Sequence, residues 1–204
     1  MGLIAKDKGG GNFEMIPAGV HHAICYGVID LGTQYSELYN NDSRKVLIIW
    51  ELPDERITID GKDLPRAISR RFTLSLNSKA TLRAILESWR SRAFTEKELE
   101  GFDLKTIIGA NCQLSVVHET YQKAGQNKTS AKVAAVMPLG KGVPKRKAEN
   151  EAQYFSFDDG MEIPESLPEW VVEIIHKSAE VNTENLPSPE KQPQKQAEDD
   201  GIPF

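Results

Sequence analysis

Two cysteines in 204 residues rule out a disulfide framework. Cys25 and Cys112 sit in separate apolar stretches, with no second cysteine at the short spacing of a zinc site, and read as two reduced core thiols. No apolar run approaches the ~18 residues that span a bilayer. The opening MGLIAKDKGGGNFEM lacks the apolar centre of a secretory signal. Lys6 stands where a myristoylation signal carries Ser or Thr. Catalytic motifs are missing as well. His21, His22, His118 and His176 form no HExxH and pair with no Ser or Cys in a nucleophile motif, and Gly140-Lys141-Gly142 lacks the GxxxxGK[ST] spacing of a P-loop. The acidic pairs Asp158-Asp159 and Asp199-Asp200 fall in segments without a frame rigid enough for a metal. The expectation is a soluble, cytoplasmic protein that is not an enzyme and carries no metal or cofactor.

Charge is plentiful but uneven. The net charge is −5. Residues 1–147 hold 22 Lys+Arg against 16 Asp+Glu, a surplus of six positive charges, whereas residues 148–204 hold 3 against 14, an excess of eleven negative ones. A basic body attracts anions that the average charge would repel.

The pattern along the chain divides it into four parts. Residues 1–16 are polar and Gly-rich and read as a loose arm. Between 17 and 140, β-type runs occupy 19–32, 44–53 and 66–76, with 57–65 as a hairpin turning at Asp60-Gly61 and Pro53 as a stop. The segments 32–43 and 121–128 read as polar loops. After Asn77, a favourable N-cap, Leu82, Ile85, Leu86 and Trp89 recur with helical spacing. Two short helical turns are expected at 94–102 and 103–109, then strands at 111–120 and 129–139. Residues 141–177 read as a basic linker, an acidic-aromatic segment (154–168) and a short helix whose stripe is Leu167, Trp170, Val171, Ile174 and Ile175. Residues 178–204, rich in Pro, Gln and Glu, read as a disordered tail. Three strands, a helix and two more strands is the order of an OB-fold: a mainly β, five-stranded barrel with a helix between strands 3 and 4, here followed by a short C-terminal helix and an acidic tail.

The sharpest motif is the last one. Asp199 and Asp200 precede Ile202-Pro203-Phe204, a ring and a carboxylate that a partner's apolar pocket with a basic rim can capture. EDDGIPF resembles the C-terminal tip of bacterial single-stranded DNA-binding proteins, with Gly201 in place of one of the consecutive Asp residues. The segments 69–104 and 167–175 resemble bacteriophage-encoded single-stranded DNA-binding proteins with an OB-fold. The resemblance implies a body that coats and protects single strands in phage DNA replication, recombination or repair, in the host cytoplasm. It also implies a tip (Asp199, Asp200, Ile202, Pro203, Phe204) that recruits partner enzymes.

Binding single strands without strong sequence preference needs cations for phosphates and flat side chains for bases. Candidate cations are Lys45, Arg70, Arg71, Lys123, Lys128 and Lys132; candidate stacking residues are Tyr26, Tyr35, Tyr39, Trp50 and Tyr121. Phe72 shares a face with Ile68 and Leu74 and reads as core, while Trp50, alternating with Val46 and Ile48, suits either core or platform. Arg70 and Arg71 point to opposite faces, and Arg71 lies away from the apolar one. Two placements compete for the C-terminal part: the acidic-aromatic stretch, or the tip itself, lies in the DNA groove until DNA displaces it, or helix 168–177 packs its Trp170 stripe on the barrel as cladding. Rival functions are a protein-interaction adaptor or DNA mimic, and a strand-annealing recombination protein. A homo-oligomer is compatible with each.

Overall fold

The computed structural model describes residues 15–37, 40–123 and 125–182. Its frame is five antiparallel strands: β1 (Gly19–Ser36), β2 (Asn41–Ile59), β3 (Lys62–Thr73), β4 (Asn111–Lys123) and β5 (Gln126–Pro138). They are hydrogen-bonded in the order β3-β2-β1-β4-β5, which leaves β3 and β5 as the two edges of an unclosed sheet. Helix α1 (Thr81–Arg90), helix α2 (Glu96–Glu100) and a 3-10 turn at Leu104–Ile107 connect β3 to β4. A short strand β6 (Gln153–Phe155) and helix α3 (Glu169–His176) follow β5. The chain is thus mainly β, with a helix between the third and fourth strands and a short C-terminal helix, as its periodicity predicts.

Local signals explain most of this frame. Asp60 (φ 51°) and Gly61 (φ 76°) form the left-handed turn of the β2–β3 hairpin. The α1 stripe Leu82, Ile85, Leu86 and Trp89 is buried. The helix starts later than its expected cap: Asn77 accepts the Lys79 N–H on its side chain (3.1 Å) and shapes the turn ahead of α1. In α2, Thr95 and Glu98 form a reciprocal capping box.

The strands are longer than their apolar runs. β1, β2, β4 and β5 continue through most of both expected loops, because backbone pairing persists where the hairpins project beyond the core. Polar composition there records exposure rather than the end of a ladder. Pro53 does not end β2 either; it falls in the irregularity between Leu52 and Arg56, where its missing N–H breaks no ladder bond.

Two apolar clusters flank β1 and β2. Val46, Ile48, Trp50 and Leu52 face inward, where they meet the α1 stripe and Phe72; the Trp50 and Trp89 rings lie 6.2 Å apart. Phe72 is core, as expected. Leu47 and Ile49 face outward with Ile29 and Leu31, and Phe155, Leu167, Val171 and Ile175 cover them. A bulge at Tyr26, between the pairs Cys25↔Trp50 and Gly27↔Ile49, shifts the phase of β1.

This outer cover corrects the reading of 141–177 as mainly a linker. β6 pairs in parallel with β1, and the buried carboxylate of Glu51 accepts the backbone N–H of Glu149 (3.0 Å) and Asn150 (2.8 Å). Asp30 accepts the Phe157 N–H at 3.2 Å, while Arg44 bridges Asp30 and Asp158. The cover also runs past the expected start of the tail: Glu180 accepts the Thr33 N–H (2.7 Å) and hydroxyl (2.8 Å). Gly32 (φ +69°) is required there, since a Cβ would lie 2.6 Å from Ser178 and Glu180. Of the expected α3 stripe, Trp170 is out of place: it is 47% exposed, whereas Val171 and Ile175 are fully buried. Helix α3, with Leu167, Phe155 and Phe157, therefore clads the outer face of β1 and β2, while Tyr154 packs against the inner cluster.

Candidate nucleic-acid interface

The cover stops short of β3. On the outer face, Lys45 pairs with Thr73, Leu47 with Arg71 and Ile49 with Ser69. Leu47 and Ile49 lie beneath the cover; Arg71 and Thr73 are exposed. Three hollows adjoin along this open strip. The first, about 400 Å³, is lined by Tyr35, Ser43, Lys45, Arg71 and Thr73 among others. The second, about 230 Å³, lies between Lys45, Arg70, Arg71 and Thr81. The third, about 640 Å³, spans the gap between the two sheet edges, from Ser69, Arg70 and Arg71 to Lys132, Val133 and Ala134, with Val117, His118 and Glu119 at its side. Arg71 lines all three. The groove thus runs from the β1–β2 hairpin, across β3, to the base of the β4–β5 hairpin.

The two arginines have separate tasks because the β3 pleat turns them apart. Arg70 faces the seam: its guanidinium donates to the Val133 carbonyl (2.8 Å) and the Ala134 carbonyl (3.3 Å) and lies 5.1 Å from the Phe72 ring centre. Burial lowers its pKa from the usual arginine value. Arg70 ties β3 to β5 where no strand ladder does. Arg71 faces outward, and among the described residues no carboxylate pairs with either arginine. Lys45 donates to the Thr73 hydroxyl at 2.8 Å, a neutral partner that leaves its charge available. Its neighbour Arg44 faces the other way and is taken up by Asp30 and Asp158.

The structure brings Tyr35, Lys45, Arg70, Arg71 and Lys132 into this groove. Tyr35 is 56% exposed, with its hydroxyl donating to Asn40 Oδ1 at 2.6 Å. Tyr121, 42% exposed, pairs in register with the exposed Lys128 farther out on the β4–β5 hairpin. Two candidates are misplaced. Trp50 is 0% exposed inside the inner cluster and offers no surface to a base. Tyr26 packs against the outer cluster beneath the cover, where burial, aided by the charge of Glu51, raises its phenol pKa. Tyr39, the Lys123 side chain and the tip residues Asp199, Asp200, Ile202, Pro203 and Phe204 lie outside the described residues.

Sequence reasoning passes over Thr73, His118 and Glu119. Thr73 is found through its pairing with Lys45. His118, whose Nε2 lies 2.8 Å from the Ile16 carbonyl oxygen, and Glu119, paired with Lys132, enter the groove through the approach of β4 and β5 to β3. No signal local to residues 118–119 marks that approach. Comparison with known proteins returns no match, either to a protein-family model or to a curated protein.

Proposed function

We propose that this chain is a single-stranded DNA-binding protein of the phage type, which coats and protects strands during DNA replication or recombination. One observation carries the reading: exposed Arg71 joins three hollows into a groove with Tyr35 and Lys45 at one end and Lys132 near the other. Cations spaced along a groove hold a phosphate chain without reading sequence, and Tyr35 and Tyr121 supply flat surfaces for bases at ~1–3 kcal/mol per stacked base. The strand order, the helix between β3 and β4, and the facing edges β3 and β5 support an OB-type barrel with its β3–β5 seam bridged by Arg70. The C-terminal tip recruits partner enzymes by capture of Phe204 and its flanking acids.

Titration of fluorescent oligo-dT with the full chain at several salt concentrations tests this. Binding is expected to weaken steeply with salt, and Arg71→Ala to weaken it while reducing the slope by about 0.7 for the phosphate contact removed. Absence of binding at low salt rules the reading out.

A further inference from the structure

Among the described residues, Glu119 is the one carboxylate lining the three joined hollows. The pairs Val117↔Lys132, Glu119↔Ser130 and Tyr121↔Lys128, with strand alternation, put Glu119 on one face with Tyr121, Lys128 and Lys132. Its carboxylate pairs with the Lys132 ammonium, and about half of each side chain is exposed. An ion pair so exposed adds little to folding. On a path of cations the same carboxylate repels phosphate. It is therefore a costly residue on a surface that only needed to hold phosphates.

Its chemistry suits the edge of a base instead. A carboxylate only accepts hydrogen bonds. Tyr121 lies two residues further along the same face, ~6.8 Å away, and its exposed ring is a stacking surface. A base stacked there presents its hydrogen-bonding edge within reach of Glu119. Guanine offers two adjacent N–H donors that match the two carboxylate oxygens. Cytosine and adenine each offer one amino group. Thymine and uracil offer a single N–H flanked by two carbonyl oxygens, which the carboxylate repels. We infer that Glu119 is a base-selecting residue: it makes this site favour guanine, then cytosine and adenine, over thymine and uracil.

The inference rests on the groove being a single-strand site, and one set of titrations separates the two. Dissociation constants are measured at one salt concentration for equal-length oligo-dT, oligo-dC and an alternating d(TG) repeat. The proteins are the full chain and its Glu119→Gln, Glu119→Ala and Arg71→Ala variants. The wild type is expected to bind the d(TG) repeat about fivefold tighter than oligo-dT, with oligo-dC between them. Both Glu119 variants are expected to shrink that ratio to within about twofold, chiefly by improving oligo-dT. Equal wild-type affinities, or a Glu119 variant that tightens all three oligonucleotides by one common factor, overturn base selection and leave Glu119 a repulsive charge. An Arg71→Ala variant that binds all three as the wild type does overturns the groove itself.

Discussion

Replacing Ile175 by Ala probes whether the C-terminal cover belongs to the folded unit. Ile175 is fully buried against the outer faces of β1 and β2, in a cluster with Ile29, Leu31, Leu47, Ile49, Phe155, Leu167 and Val171. Removing its side chain costs about 2–5 kcal/mol in lost transfer free energy and residual cavity. At ~2–4 °C per kcal/mol for a chain of this size, a melting-temperature fall of about 4–20 °C follows if the whole protein melts as one. Helix α3 has only eight residues, too short to persist without its packing. The loss therefore undocks the cover before it harms the inner core, and the apolar faces of Leu47 and Ile49 become accessible. Thermal melting with parallel titration of an apolar-surface dye measures both effects. A melting temperature unchanged to within about 1 °C, less than the ~2–4 °C expected per kcal/mol, with no increase in dye binding would overturn this account, because the outer cluster would then contribute nothing.

Truncation after residue 182 is expected to leave the melting temperature unchanged, whereas truncation after residue 150 removes Phe155, Leu167, Val171 and Ile175 and lowers it sharply; calorimetry of both proteins decides. The shorter truncation removes five acidic and two basic residues and is the one that reports on tail effects in DNA binding without disturbing the sheet. Glu180 gives the cover a pH dependence. Burial raises its pKa, but the hydrogen bonds from the Thr33 N–H and hydroxyl more than offset this and hold it below the usual carboxylate value. A carboxyl depressed in the folded state stabilises above its unfolded pKa, and that contribution is lost as pH falls through the folded one. Unfolding titrations across the acid range are expected to show a smaller loss in Glu180→Gln than in the wild type, the remainder coming from other depressed carboxyls such as Glu87 and Glu98. The thiols should be inert: burial pushes Cys25 up to about 12 and Cys112 higher still. Neither should react with a thiol reagent at pH 8 until denaturant is added, and rapid native labelling of either would contradict the packing.

Residues whose structure depends on near neighbours were legible in the sequence. The α1 stripe from Leu82 to Trp89 needs only a 3.6-residue period. The Asp60-Gly61 turn needs only residues that tolerate positive φ. The outward direction of Arg71 follows from alternation with Phe72. Trp50 resisted the same logic because β2 is apolar on both faces, with Leu47 and Ile49 outward and Ile48 and Trp50 inward. Alternation assigns such residues to faces but does not say which face meets solvent. The cover was obscured for a related reason: Phe155, Leu167, Val171 and Ile175 are sparse in a polar stretch, and their partners lie more than a hundred residues earlier.

Residue pattern alone was enough for the mainly β composition, the position of the helix between the third and fourth strands, and the division into a basic body and an acidic C-terminal part. These depend on local period, turn chemistry and charge counting, which act over a few residues or not through contacts at all. The covering of β1 and β2 on both faces, the reach of Arg70 across the seam and the place of Glu119 among the groove cations came from packing between distant segments. Those outcomes depend on strand register and on the meeting of β3 with β5. Long-range packing sets both, and no local preference at Arg70 or Glu119 encodes them.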